Sequence, residues 1–222
     1  MSKSLPKIAV ISAILGGLDD PPTHPVQSIE HDYYLFTEEN FPLRDKAMTP
    51  RLQAKIPKCF GWQLKPGYDY YMWIDGSLTM TSTDTLKHYF DAIQGYDLVV
   101  LKHPGRDTVY WESRYLERGL KDSRYINERY AGEWVKEQMA EIMGDKNYKD
   151  DLLVNGGVFI YRNIPQVQEM LKEWWYHISR YLIMDQCSWA YVIKKSGVKV
   201  NALEEAYNES PFLAHQRHRI HA

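Results

Sequence analysis

The stretch Tyr70-Tyr71-Met72-Trp73-Ile74-Asp75-Gly76-Ser77-Leu78 constrains this chain more than any other. An apolar and aromatic run leads straight into an acid, a glycine and a small hydroxyl residue. A run that apolar, bounded by turn residues, fits a strand buried on both faces, and such strands belong to parallel sheets. Asp75 then sits at the carboxyl end of an interior strand, the edge where open α/β sheets bind their ligands. A carboxylate there must be solvated, paired or bound to a metal, because an isolated buried charge is too costly. Two readings follow: a turn aspartate that only ends the strand, or an acid placed to hold a ligand.

The rest of the chain alternates strands and helices. Lys7 to Ile14 is a β-branched opening strand ended by Gly16-Gly17. Leu18 to Pro25 is rich in proline and aspartate, which predicts a loop where a dinucleotide fold would start a helix, and no G-x-G-x-x-G pattern is present. His31 to Thr37 is a second strand. Thr49-Pro50 opens a helix with a hydroxyl N-cap and proline at the first position. Leu52, Ile56 and Phe60 make its apolar stripe, Arg51 and Lys55 share another face, and Pro57 should kink or cut it. Ser82 or Thr83 starts a helix that Gly95 stops, and Asp97 to Lys102 is a buried strand running into His103-Pro104-Gly105-Arg106. A long polar segment follows to Asp151, with a helix around Tyr130 to Met143. Leu152 to Arg162 is apolar on both sides of Asn155-Gly156-Gly157, where a bulge is the plain reading. Pro165 opens an amphipathic helix, Asp185 caps the next, Gly197 ends it, and Val198 to Val200 is a short strand. The tail carries His215, His218 and His221 beside Arg217 and Arg219. This order predicts one α/β domain over residues 1–222, with a mostly parallel central sheet flanked by helices.

Composition narrows the class. At 222 residues, 44% hydrophobic and 25% charged, the chain has the make-up of a folded globular domain. A net charge of -2 argues against a general nucleic-acid binder. Two cysteines without metal-type spacing fit a reducing compartment, and no apolar stretch approaches the roughly 20 residues that span a bilayer. The expectation is a cytoplasmic protein without a transmembrane segment.

The polar residues at strand exits and on the nearby helix form one constellation: Asp75 and Ser77, His103 and Arg106, Asn155, Asp185 and Gln186, with Arg51 and Lys55. An acid facing a cationic helix face suits a metal-bound diphosphate, the acid holding the cation and the cations neutralising phosphate oxygens. Oxygen ligands favour Mg or Mn, and a tail histidine such as His218 would complete the set. The plain readings are a solvated helix face for Arg51 and Lys55 and a basic tail. Nothing places a serine or cysteine nucleophile at a strained elbow.

Read in order, these pieces resemble a known family. The opening strand, its proline-rich loop and Tyr34-Leu35-Phe36-Thr37 look like the nucleotide-binding start of GT-A glycosyltransferases. Trp73-Ile74-Asp75-Gly76-Ser77 resembles a variant of their Asp-x-Asp metal motif. More narrowly, the chain is similar to the TOD/MUCI glycosyltransferase-like family. The pieces that carry this are Arg51 with Lys55-Ile56-Pro57, Lys102-His103-Pro104 with Arg106, Tyr110-Trp111-Glu112, Asn155-Gly156-Gly157-Val158 and Asp185-Gln186-Cys187-Ser188.

The resemblance implies a nucleotide-sugar-dependent glycosyltransferase, with residues 7–102 as the donor half and 103–222 as the acceptor half and tail. Asp75, with Ser77 and His218, would hold Mn or Mg on the donor diphosphate. Arg51, Lys55, His103, Arg106, Gly156 and Gln186 would line the donor. Asp185, Asn155 and Glu112 would carry the chemistry, with Asp185 as base or as stabiliser of an oxocarbenium-like state. The acceptor would be a glycan hydroxyl or, less in keeping with the net charge, a modified DNA base. Two departures stand out: Ser77 replaces the second metal acid, and Met184 stands where the family often has arginine. A catalytically silent sugar- or nucleotide-binding module is the alternative. A nucleotidyltransferase fits less well, because Asp19-Asp20 follow Gly16-Gly17 and repel phosphate.

Overall fold

The computed structural model describes residues 5–17, 19–207 and 209–216. Its six-stranded sheet is built from β1 (Ile8–Ala13), β2 (Asp32–Phe36), β3 (Tyr70–Ile74), β5 (Leu98–Lys102), β6 (Val154–Arg162) and β7 (Val200–Leu203). Their order across the sheet is β2-β1-β3-β6-β5-β7. β1 pairs parallel with β2 and β3, and β5 pairs parallel with β7. β6 alone is reversed, running antiparallel to both β3 and β5. The expected single α/β architecture with a mostly parallel sheet is present. The expectation for β3 needs one correction: it is parallel to its neighbour on one side only.

That reversal positions the site. Parallel strands present their carboxyl ends at one edge, and an antiparallel strand inserted among them brings its amino end there. The end of β3 (Asp75), the end of β5 (His103) and the start of β6 (Asn155-Gly156-Gly157) therefore converge. The register of β6 against β5 slips between Val100, opposite Phe159, and Leu101, opposite Asn155. The glycine pair bulges out of that pairing, and the Gly157 carbonyl accepts the Asp75 backbone N–H at 2.8 Å.

Both sheet faces are apolar, as a doubly covered sheet requires. One face, with Ile11, Trp73, Val100 and Phe159, packs on α1 (Pro50–Leu64), α6 (Pro165–Arg180) and α7 (Gln186–Ser196). Trp174 and Trp189 stack there at 3.7 Å between ring centres. The other face, with Val10, Met72, Val99 and Ile160, packs on α2 (Thr85–Ala92) and on a two-stranded sheet of β4 (Leu78–Met80) and β8 (Leu213–His215). The polar segment expected to hold one helix forms three: α3 (Val109–Asp122), α4 (Arg124–Tyr130) and α5 (Val135–Gly144). They share a small core of Leu116, Ile126, Val135 and Leu182.

α1 begins as its sequence dictates, with the Thr49 hydroxyl accepting the Leu52 N–H at 3.2 Å. The helix continues past Pro57, and the break in geometry falls at Phe60 (φ -124°, ψ 21°). The expected Leu52-Ile56-Phe60 stripe is only half-buried. The deeper face carries Gln53, Pro57 and Gly61, together with Lys58 and Cys59. Among the described residues no helix is long and apolar enough to cross a membrane.

Candidate active site

The centre of the site is an ionic cluster that bridges α1, β3 and the start of α7. Lys55 and Lys58 donate to the same Asp185 oxygen at 2.6 and 2.5 Å, and Lys58 also reaches Asp75 at 3.3 Å. Lys58 is only 1% exposed, so its charge is tolerable only because two carboxylates face it. Asp185 occupies the N-cap position of α7, but its side chain makes no cap bond. Its backbone carbonyl accepts the Trp174 indole N–H at 3.0 Å, and its carboxylate turns to the lysines instead. Burial alone would raise the Asp185 pKa, but Lys55 and then Lys58 outweigh it and hold the group well below the usual carboxylate range. Burial likewise works against Lys55, and the Asp185 and Asp75 carboxylates hold its pKa above the ordinary value.

Asp75 is the more open acid. One oxygen accepts the Trp73 indole N–H at 2.7 Å and faces Lys58, while the side chain stays 37% exposed. It lines a cavity of about 140 Å³ with Ser77, Arg51, Lys55, Arg129 and Tyr130. Gly76 is required by close approach, since a Cβ there would fall 2.3 Å from Ile14 and 2.9 Å from the Ala13 carbonyl. At Gly156 a Cβ would fall 2.9 Å from the Asp185 carboxylate and 3.2 Å from the Lys58 ammonium. The glycine of Asn155-Gly156-Gly157 therefore makes room for the ion pair itself. Asn155, beside it, is nearly buried.

Glu112, expected among the catalytic residues, is fully buried, and its two oxygens accept from Arg106 and from Gln186. It thereby ties the His103–Arg106 loop to Gln186, the residue next to Asp185. Arg106 also reaches His103 Nε2 at 3.1 Å, and His103 Nδ1 accepts the backbone N–H groups of Gly105 and Arg106. Burial is the main cause that lowers the His103 pKa. The structure thus gathers Arg51, Lys55, Asp75, Ser77, Asp185 and Gly156 at one edge. His103, Arg106, Glu112 and Gln186 form a second chain of contacts beside it.

Among the described residues no three acids, histidines or cysteines assemble as a metal site. Mg-type ions nevertheless bind through one or two carboxylates plus substrate phosphates and water, and one open carboxylate meets that demand. Asp75 offers it, with Ser77 in the same cavity. The tail returns to this point, since the Gln216 N–H donates to the Ser77 carbonyl at 2.7 Å. His218 lies outside the described residues.

Lys58, Arg129 and Tyr207 also reach this region and are not among the residues expected from the sequence. Lys58 follows Lys55 by three residues, which puts both on one helix flank, but Pro57 between them hid the spacing. Tyr207 packs its buried hydroxyl 2.5 Å from where a Cβ of residue 157 would lie, and nothing in the sequence signals this.

No curated protein sequence matches the chain. Among solved structures, a glycosyltransferase involved in the glycosylation of the major capsid of PBCV-1 is similar at 10% identity and TM-score 0.50, over 95% of this chain and 92% of that one. The WbbM bifunctional glycosyltransferase matches at 13% identity and TM-score 0.49, over 89% of this chain, which spans 39% of that chain's length. Mouse xyloside xylosyltransferase 1 matches at 11% identity and TM-score 0.45, over 89% and 85%. The likeness to the capsid glycosyltransferase, at 10% identity, is one of fold. The family model described as TOD1/MUCI70, glycosyltransferase-like domain, matches residues 35–218. That span takes in every described residue of the ionic cluster, and the chain belongs to the TOD1/MUCI70 glycosyltransferase-like family.

Proposed function

We propose that the protein transfers a sugar from a nucleotide-sugar donor to a hydroxyl group of an acceptor, at the edge where Asp75, Lys55 and Asp185 meet. The observation that carries the reading is the cavity beside Asp75, where a half-open carboxylate shares walls with Arg51 and Lys55. An anionic group entering it meets helix-borne cations on one side and an acid able to hold Mn or Mg on the other. Asp75 would hold that ion, with Ser77 and the tail's His218 as further ligands. The ion would offset charge on the departing diphosphate.

Asp185 then stabilises positive charge at the anomeric carbon rather than taking a proton, and an oxygen of the departing diphosphate accepts the proton that the acceptor hydroxyl loses as the new glycosidic bond forms. Two ammonium groups already donate to Asp185, so it is ionised and a weak base. Lys58 fixes its direction, and Gly156, which follows Asn155 at the start of β6, lies against it. Glu112 keeps Arg106 and Gln186 in place at the donor's sugar end. The acceptor approaches along a groove of about 710 Å³ that shares Arg106 with this chain of contacts. Trp111 there is 60% exposed, and Tyr115 packs under the Arg106 guanidinium at 4.1 Å. Flat aromatic faces of this kind suit sugar rings and bases alike; the net charge of -2 is what favours a glycan acceptor over a modified DNA base.

The test is a panel of nucleotide sugars assayed for Mn-dependent hydrolysis. Turnover of one donor, lost in Asp185→Ala, is the expected result. Binding without turnover favours the silent-module reading, which the lysine-capped Asp185 makes physically reasonable. The absence of both binding and turnover with every donor overturns the transferase reading.

A further inference from the structure

Two guanidinium groups face the cavity beside Asp75 from different elements. Arg51 comes from α1 and Arg129 from α4. Among the described residues neither lies within ion-pair distance of a carboxylate. Burial and then the charge of Arg129 depress the Arg51 pKa. Arg129 is held over the Tyr125 ring at 4.5 Å with a bond to its hydroxyl, but its Nε is buried without a partner. Leaving a buried donor unsatisfied is costly, and so is placing two like charges together. Among its described lining residues the cavity carries three cations, Lys55 included, and two acids, Asp19 and Asp75. Its volume of about 140 Å³ suits a phosphate group or two rather than a whole nucleotide.

Resting on the transferase reading, we propose that Arg51 and Arg129 form a two-sided clamp for the donor diphosphate, independent of any metal on Asp75. Each guanidinium presents a planar fork that matches phosphate oxygens bidentately. An incoming diphosphate offsets the repulsion between them and satisfies the Arg129 Nε. The clamp also makes α4, a helix from the polar middle of the chain, part of the donor site. Tyr130, which follows Arg129, lines the same cavity.

The probe is inorganic pyrophosphate, titrated calorimetrically into the whole protein with EDTA present. The wild type is expected to bind it saturably, with affinity falling as salt rises. Arg51→Ala and Arg129→Ala are each expected to weaken binding about tenfold or more, the loss of a charge-assisted hydrogen bond. Arg129→Lys, which keeps the charge but not the fork, falls between, and guards against a variant that fails to fold. Arg124→Ala, on the exposed face of α4, is expected to bind as the wild type does. No binding by the wild type, or full affinity in Arg129→Ala, overturns the clamp. Pyrophosphate binding with no turnover of any nucleotide sugar upholds the clamp and removes the transferase. Turnover with donor KM unchanged in Arg129→Ala removes the clamp and keeps the transferase.

Discussion

A carboxylate with two lysines on one oxygen has a fixed charge and a fixed direction, and Asp185 owes both to Lys55 and Lys58. Breaking a buried pair from one side strands the other charge, so Asp185→Asn is expected to cost about 3–5 kcal/mol in urea unfolding. Its pH dependence has a definite sign. The folded pKa of Asp185 is depressed, so the wild type's stability from this group is complete above about pH 5. It is lost as pH falls through the ordinary value of about 4 and beyond. Lys55 is raised, so its contribution holds below about pH 10 and is lost as pH climbs past that. The acid loss should be blunted in Asp185→Asn; an identical acid limb in both proteins would show that the cluster does not set it. Gly156→Ala pushes a methyl group against both partners and is expected to cost about 1–3 kcal/mol and most activity. An unfolding curve matching the wild type would contradict the packing. Asp185 was readable in the sequence as a candidate. Its lysine pair was not, because Lys58 and Asp185 are far apart in the chain and only the fold joins them. Arg129 hid for a related reason: it lies in a polar segment rich in Arg and Glu, which reads as a solvated surface.

At the scale of elements, the tail matters more than its composition suggested. β8 pairs with β4 directly after Asp75-Gly76-Ser77, with Leu213 buried and Phe212 stacked on His88 at 4.1 Å. A basic, histidine-bearing end reads as a solvated tail until a strand partner is known, and three residues are too few to announce a strand by alternation. Deleting residues 213–222 is therefore expected to lower the melting temperature by several degrees, since it uncovers β4 and the Leu213 site. His218→Ala leaves that pairing intact. It is expected to weaken Mn-dependent donor binding while the melting temperature of the donor-free protein stays the same. Full Mn-dependent affinity in that variant would take His218 out of the ligand set. The glycine pair of β6 was legible as a bulge, but its purpose was not. Only the position of the Lys58 ammonium explains why a side chain is excluded there.

Across the whole molecule, the alternation of apolar runs and amphipathic stretches carried the fold class, because each strand in the sheet interior is apolar on both faces. Strand order was not legible. Nothing in Val154 to Arg162 shows that this strand runs against its neighbours, yet that reversal brings Asn155 and Gly156 to the same edge as Asp75. The proposed donor site depends on that convergence, with Asp75 proposed as the anchor of the donor diphosphate. Its most direct test is calorimetric titration, with Mn present, of the donor found in the nucleotide-sugar panel into wild type and Asp75→Ala. Asp75→Ala is expected to lose the Mn-dependent part of the affinity, leaving only the weaker binding proposed for Arg51, Lys55 and Arg129. Equal affinity in the two proteins would contradict it.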